Sequence, residues 1–415
     1  MIDIPNAGLF DYQLDAIDKM HNGCILCGPV GSGKSRTGIG YYFLEQNGYF
    51  NPAVFLPEGA RDLYIITTAR KRDKCEWYSD LIPYQMNGEK VTDRDYTTVW
   101  GNRVVIDSWN NIKKYKSVYG AFFIFDEDRV TGSGVWAKTF LDLARKNRWI
   151  ILSATPGDDW LQYWAVFVAN GFYKNKTHFV TQHCIQNPHV SYFSVSKYLD
   201  EYTLLRHKAE ILVEMDYESK NFKHEEVVLC DYDKKLYNDI CKTRWNIYTD
   251  KPIINAGEFC YILRKVVNSD KSRLDALQEL LLMHPKIIVF YNFTYELELL
   301  RDFCLSCSLT FSEWNGEKHE DIPTDDSWLY LVQFQAGSEG WNCLETDCLI
   351  FYSQNYSYKT TTQAAGRIDR NTSPFNELYY YKFRSNSPID IRIQKAFEEK
   401  RDFNTMDRLD YFKFA

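Results

Sequence analysis

No apolar run in the 415-residue sequence is long enough to cross a bilayer, so no transmembrane role is expected. The opening residues Met1-Ile2-Asp3-Ile4-Pro5 lack a basic region followed by an apolar stretch, so no signal peptide is expected. An excess of positive charge is missing too: 49 Lys and Arg stand against 56 Asp and Glu, a formal net charge of -7. Without a global basic field, any track for a polyanion has to be local. Repeats and low-complexity tracts are absent. The 11 cysteines are odd in number and scattered, several in strand-like runs such as Cys24-Ile25-Leu26-Cys27, which fits a reducing cytoplasm. Cys24/Cys27 and Cys304/Cys307 have C-x-x-C spacing. The first pair falls in what should be a buried strand, so zinc is not expected.

What is present is a globular composition, 45% hydrophobic and 25% charged, in a chain long enough for two or three domains. Aromatic residues reach 16%, with 30 tyrosines, and such residues usually fill cores. Short continuous apolar runs recur at Cys24–Cys27, Leu63–Ile66, Val104–Ile106, Ala121–Phe125 and Ile150–Leu152. They recur again at Ile287–Tyr291, Leu329–Val332, Cys348–Tyr352 and Leu378–Phe383. Runs of this kind, separated by polar or helical stretches, read as parallel strands buried on both faces. Two such blocks predict an α/β chain with two doubly wound parallel-sheet domains in tandem, residues 1–180 and 227–415, joined by a short helical connector over 181–226. Trp160, Trp164, Phe167 and Phe172 predict a helical packing element. The charged stretch Asp216–Glu226 reads as a solvated approach to the second domain. Ser387-Pro388-Ile389-Asp390 reads as a helix start whose Ile389, Ile393, Ala396 and Phe397 share a face.

Two distant segments carry the chemistry. Gly28-Pro29-Val30-Gly31-Ser32-Gly33-Lys34-Ser35 fits G-x-x-x-x-G-K-[ST], after a strand and before a helix. Gly28, Gly31 and Gly33 let the backbone approach phosphate, and exposed N–H groups, that of Ser32 included, face its oxygens. Lys34 neutralises β- and γ-phosphate charge, and the Ser35 hydroxyl ligates Mg²⁺. Asp126-Glu127 ends a strand, where Asp126 can hold Mg²⁺ and Glu127 can polarise an attacking water. Far downstream, Arg367 and Arg370 lie three apart on a predicted helix with Gln363 on the same side, placed to bring charge to the phosphates. A motor that closes on ATP follows from this pairing.

At this point the chain resembles the helicase superfamily 2 motors, which have two RecA-like domains. Tyr12-Gln13 is similar to the adenine-reading glutamine element, which makes Gln13 the base reader. Thr67-Thr68-Ala69-Arg70 and Asp107-Ser108-Trp109 are similar to the early nucleic-acid-contact motifs. Asp126-Glu127-Asp128-Arg129 stands where that family has its DEAD or DEAH signature, and Ser153-Ala154-Thr155-Pro156 resembles the coupling motif. Gln335–Asn342 and Gln363–Arg370 stand for the last two motifs. Within the superfamily the segment Lys286–Thr294, with Leu236-Tyr237 and Leu263-Arg264-Lys265 upstream, looks Swi/Snf-like. Leu152–Asp158 with Asn170–Tyr173 looks like small bacteriophage-encoded helicases. Asp128-Arg129 and Glu339 depart from the usual pattern. No accessory module is apparent.

The resemblance implies an ATP- and Mg²⁺-dependent helicase or translocase acting on DNA in phage replication or recombination. Its nucleic-acid contacts would fall near Thr68, Arg70, Ser108, Asn292 and Ser338. These are phosphate contacts, which favour salt sensitivity over sequence preference; for each Ser or Thr, helix capping is the alternative use. An RNA helicase and a nucleotide-switched interaction protein without translocation are the competing readings. A phosphate-loop kinase is a further one that leaves Gln363–Arg370 unexplained.

Overall fold

A computed structural model describes the chain except residues 1–7, 49–55, 58, 85, 87–88, 93–94, 99–100, 128, 158, 188–192, 338–342, 371–372, 400 and 415. It divides into two compact units, Met1–Glu218 and Ser219–Ala415.

The first unit contains β1 (Ile25–Cys27), β2 (Leu63–Thr67), β3 (Glu89–Thr92), β4 (Asp95–Thr97), β5 (Arg103–Ser108), β6 (Phe122–Asp126), β7 (Arg148–Ser153), β8 (Cys184–Gln186), β9 (Val195–Tyr198) and β10 (Leu212–Glu214). Its main sheet runs β10-β1-β7-β6-β2-β5-β4-β3. The strands from β10 to β5 are parallel, and β4 and β3 close the edge antiparallel. β8 and β9 form a separate antiparallel pair.

The period-2 alternation of each apolar run supplies two cores, one per face. Leu26, Leu63, Ile65, Phe122, Ile124, Ile150 and Leu152 join the helices on one side, including Asp11–Lys19 and Lys34–Asn47. Ile25, Tyr64, Ile66, Phe123, Phe125, Trp149 and Ile151 meet Val135–Ala144 and Trp164–Ala169 on the other. The aromatic element expected around Trp164 and Phe167 is that second-face cover, with both side chains buried.

The second unit contains β11 (Phe222–Leu229), β12 (Trp245–Asn246), β13 (Lys251–Pro252), β14 (Lys286–Tyr291), β15 (Thr310–Trp314), β16 (Trp328–Gln333), β17 (Cys348–Phe351) and β18 (Glu377–Arg384). Its six-stranded sheet, β11-β18-β17-β14-β16-β15, is parallel throughout. Ile287, Val289 and Tyr291 feed one core; Ile288 and Phe290 feed the other. A third apolar cluster joins the helices Ala256–Asn268, Pro388–Glu398 and Thr405–Phe414. Ser387 caps the second of these by accepting the Asp390 N–H, with Pro388 in the first turn. Ile389, Ile393 and Ala396 are its buried face.

Two doubly wound α/β sheets in tandem are therefore present, as the RecA-like resemblance implies. Residues 181–226 supply β8, β9 and β10 to the first unit and the start of β11 to the second. From Phe222 onward the charged stretch is the start of an eight-residue edge strand and is solvated as expected. Its largely exposed face explains the polar composition.

Candidate nucleotide site

Ligands of open α/β sheets sit beyond the carboxyl ends of the strands, where the strand order reverses. In the first sheet β1 is separated from β2 by β7 and β6, and the register aligns Cys27 with Ser153 and Asp126 with Leu152. The ends of β1, β7, β6, β2 and β5 thus bring Gly28, Ser153, Asp126, Thr67 and Ser108 to one edge. Two backbone bonds pin it: Gly28 N–H to Ser153 O at 3.2 Å and Glu127 N–H to Leu152 O at 2.9 Å.

The phosphate loop turns through Gly31 (φ +92°) and Gly33 (φ +78°), where an L side chain would be strained. Gly28 is required for space instead: a Cβ there would lie 2.7 Å from Ser32 Oγ and 2.8 Å from Met215 Sδ. Ser32 itself is buried, its hydroxyl directed at Met215 Sδ. Gly33 caps the helix Lys34–Asn47 without a side chain, which leaves its start suited to an anion. Lys34 Nζ donates to the carbonyls of Gly28 (2.7 Å) and Pro29 (2.9 Å). Burial pulls its pKa down to about 8, against the opposing charges of Glu127 and Asp126. Ser35 is half-buried in the first turn of that helix.

Gln13 is buried, and its amide braces the loop. Its Nε2 donates to Ser32 O (3.0 Å) and Gly33 O (3.4 Å), and its Oε1 accepts the Phe10 N–H (2.9 Å). The Tyr12 hydroxyl also donates to Ser32 O, at 3.0 Å.

The acidic pair is built into a charge cluster. Asp126 Oδ2 accepts from the Thr67 hydroxyl (2.6 Å) and from Lys71 Nζ (2.9 Å), while Lys71 Nζ lies 3.8 Å from Glu127 Oε1. Burial alone would raise the Asp126 carboxyl, but Lys71, Thr67 and Lys34 hold it below the ordinary carboxylate range. Burial likewise works against the Lys71 ammonium, and Asp126 and Glu127 outweigh it. Glu127 sits in the left-handed region at φ +63°. Trp109 Nε1 donates to Asp126 O at 2.9 Å and ties this end of β6 to the segment after β5. Ser35 and Asp126 fit a hard divalent cation by donor chemistry, since both offer oxygen and Asp126 already holds a cationic ammonium.

The expected nucleic-acid contacts divide differently. Thr68 Oγ1 accepts the Lys71 N–H and caps the helix Ala69–Asp73. Arg70 is half-buried on that helix. Ser108 is buried and its hydroxyl accepts from Arg72 at 2.9 Å. Arg72 also bonds Asp107 at 3.1 Å, and Asp107 accepts from Asn111 (2.8 Å) and Tyr115 (2.7 Å). Asn292, in the second unit, is held by Ser353, Gln354, Asn355 and Glu296. Ser338 lies outside the described residues, as do Asp128 and Glu339.

The helix expected to carry both arginines stops earlier. It spans Tyr358–Ala365 and is capped at Gly366, so Arg367 follows it in a turn and Arg370 in irregular backbone. The Arg367 N–H bonds Ala364 O, which tightens the last turn, and glycine after it favours termination. Gln363 is on the helix and buried. Arg367 is buried, with Nε donating to Gln363 O at 3.0 Å, and Arg370 is half-buried. Between them Asp369 is fixed by Ser219 (2.7 Å) and Lys223 (2.6 Å).

Sequence reasoning missed Thr67, Lys71, Arg72 and Asp107 as members of the site. The run Ala69-Arg70-Lys71-Arg72 was a signal for cations at a strand end. Only the β2–β6 pairing reveals that Thr67 and Lys71 meet Asp126, and only the β2–β5 pairing that Arg72 meets Asp107.

No family model matches the chain. Among curated proteins it is similar to human (Homo sapiens) lymphoid-specific helicase, 23% identical over 214 residues, 47% of this chain and 24% of that protein. It is also similar to the chromatin-remodeling ATPase INO80 of Emericella nidulans, 23% identical over 169 residues, 37% of this chain and 10% of that protein. Protein CHROMATIN REMODELING 25 of Arabidopsis thaliana is 24% identical over 118 residues, 26% of this chain and 13% of that protein. The chain thus spans a quarter or less of the length of these relatives. Among solved structures, the Sulfolobus solfataricus SWI2/SNF2 ATPase core in complex with dsDNA aligns with 99% of this chain and 96% of its own, at 14% identity and a TM-score of 0.42. The curated relatives that the chain matches at a distance are thus a helicase and chromatin-remodeling ATPases.

Proposed function

We propose that the chain is an ATP-driven motor on DNA. The observation that carries this reading is the single sheet edge holding the phosphate loop, Asp126 and the strained Glu127. The ATPase and helicase relatives support it. On ATP binding Lys34 leaves its loop carbonyls for the β- and γ-phosphates, and the loop N–H groups, Ser32 included, take the remaining oxygens. Ser35 and Asp126 would hold Mg²⁺, which when bound would supply charge neutralisation. Glu127 orients a water and accepts its proton as the oxygen attacks the γ-phosphorus and the bond to the β-phosphate oxygen breaks.

Arg367 and Arg370, from the second unit, stabilise the charge of that transition state, and Gln363 beside them senses the nucleotide. Gln13 acts on adenine through the loop it braces. The nucleic-acid contacts are assigned to Thr68, Arg70 and Ser108 of the first unit and to Asn292 of the second, with Ser338 a candidate from the sequence alone. Arg70 contributes charge, and the Thr68 and Ser108 hydroxyls hold the short helix that carries it. Translocation, unwinding and a place in phage replication or recombination are the finer parts of this proposal. The phage setting rests on the likeness of Leu152–Asp158 with Asn170–Tyr173 alone.

The test is ATP hydrolysis measured across single-stranded, duplex and branched DNA and matched RNA, with Lys34→Ala as control. DNA is expected to stimulate wild-type turnover and Lys34→Ala to abolish it. A response indifferent to every nucleic acid would count against a motor, and stronger stimulation by RNA would favour the RNA reading.

A further inference from the structure

Lys71 lies on the five-residue helix Ala69–Asp73 that follows β2, and β2 neighbours β6 in the sheet. Its ammonium touches Asp126 at 2.9 Å and reaches Glu127 at 3.8 Å, with a fifth of the side chain exposed. Two adjacent carboxylates at a buried strand end repel one another and lose hydration, and a fixed ammonium offsets both costs. A divalent cation on Asp126 requires the same carboxylate. Two cations on one carboxylate repel, so metal binding and the Lys71 contact oppose each other.

We propose that Lys71 is a resident counter-cation of the nucleotide site that Mg²⁺ must displace from Asp126, so that metal binding is coupled to the helix Ala69–Asp73. The proposal rests on the reading of Asp126 as a metal ligand. The coupling has a physical route. Thr68 holds the Lys71 backbone N–H at the start of this helix. At its end Arg72 grips Asp73, Asp107 and Ser108. Moving Lys71 therefore bears on the turn that also carries Arg70. Linkage makes the effect reciprocal: an anion that draws Lys71 outward tightens the metal.

The experiment is Mn²⁺ titration of the full chain with ADP present, followed by electron paramagnetic resonance, for wild type, Lys71→Gln, Lys71→Arg and Asp126→Asn. Lys71→Gln keeps a donor for Asp126 without the charge and is expected to bind Mn²⁺ roughly tenfold more tightly than wild type. Lys71→Arg is expected to stay near wild type. Equal affinity in wild type and Lys71→Gln would make Lys71 a purely structural partner and overturn the proposal. Undiminished Mn²⁺ binding by Asp126→Asn would instead remove the metal assignment, and the proposal with it. Thermal melting gives a second readout. Without divalent ions Lys71→Gln should melt below wild type, and Mg²⁺ should raise its Tm by more than it raises wild type's. An equal gain in both would contradict displacement.

Discussion

Glu127 shows at the scale of one residue how the site is specified. A left-handed backbone at a non-glycine position costs about 1–2 kcal/mol, and here it falls on the residue assigned to handle the water. Glu127→Gly is expected to keep or raise stability in urea unfolding while losing hydrolysis; a loss of both would make the residue structural. Glu127→Gln should retain ATP in filter binding without turning it over.

Asp107 is the contrasting case, a carboxylate that serves its neighbours. Burial works to raise its pKa, and bonds from Asn111, Tyr115, the Ser108 amide and Arg72 hold it below the ordinary value. Its stabilisation is complete at neutral pH and is lost as pH falls below about 4 and through the folded value. Asp107→Asn should therefore flatten the acid limb of a stability–pH curve relative to wild type. Residues of this second kind were hard to read in the sequence. Lys71, Arg72 and Asp107 become a cluster only when β2, β5 and β6 are neighbours, which no local pattern states.

Elements were more legible, and the exceptions are edge strands and one helix end. The nine apolar runs all became strands, because central parallel strands are buried on both faces and leave an uninterrupted apolar record. β11, with the exposed Phe222, Val227 and Leu229, and β15 (Thr-Phe-Ser-Glu-Trp) are edge strands whose mixed composition resembles loop. The helix before Arg367 ends sooner than the three-residue spacing of the arginines implies, with Gly366 as its cap.

Gly33 matters to an element as well as to a ligand. A Cβ there would come within 2.2 Å of Gln13 Nε2, at a backbone angle only glycine takes freely. Gly33→Ala should cost about 1–2 kcal/mol in urea unfolding and weaken nucleotide binding. In the second unit Arg273 is fully buried against Asp390 (3.4 Å) and the carbonyls of Val267, Tyr352 and Phe383, bridging the helix Ser272–Met283 to the ends of β17 and β18. Arg273→Met strands a buried carboxylate and should cost about 3–5 kcal/mol by the same measurement.

Over the whole molecule, the two units have separate cores and sheets. The net charge of -7 leaves DNA attraction to local cations, so stimulation by DNA should fall steeply between about 50 and 200 mM salt. A salt-independent response would argue against phosphate contacts. The central proposal is that Arg370, like Lys34, serves ATP hydrolysis. Single-turnover hydrolysis of ATP by Arg370→Ala, at saturating DNA and alongside a direct measurement of ATP affinity, tests it most directly. The account predicts a rate lower by about 10³ with affinity little changed; a wild-type rate in that variant would contradict it.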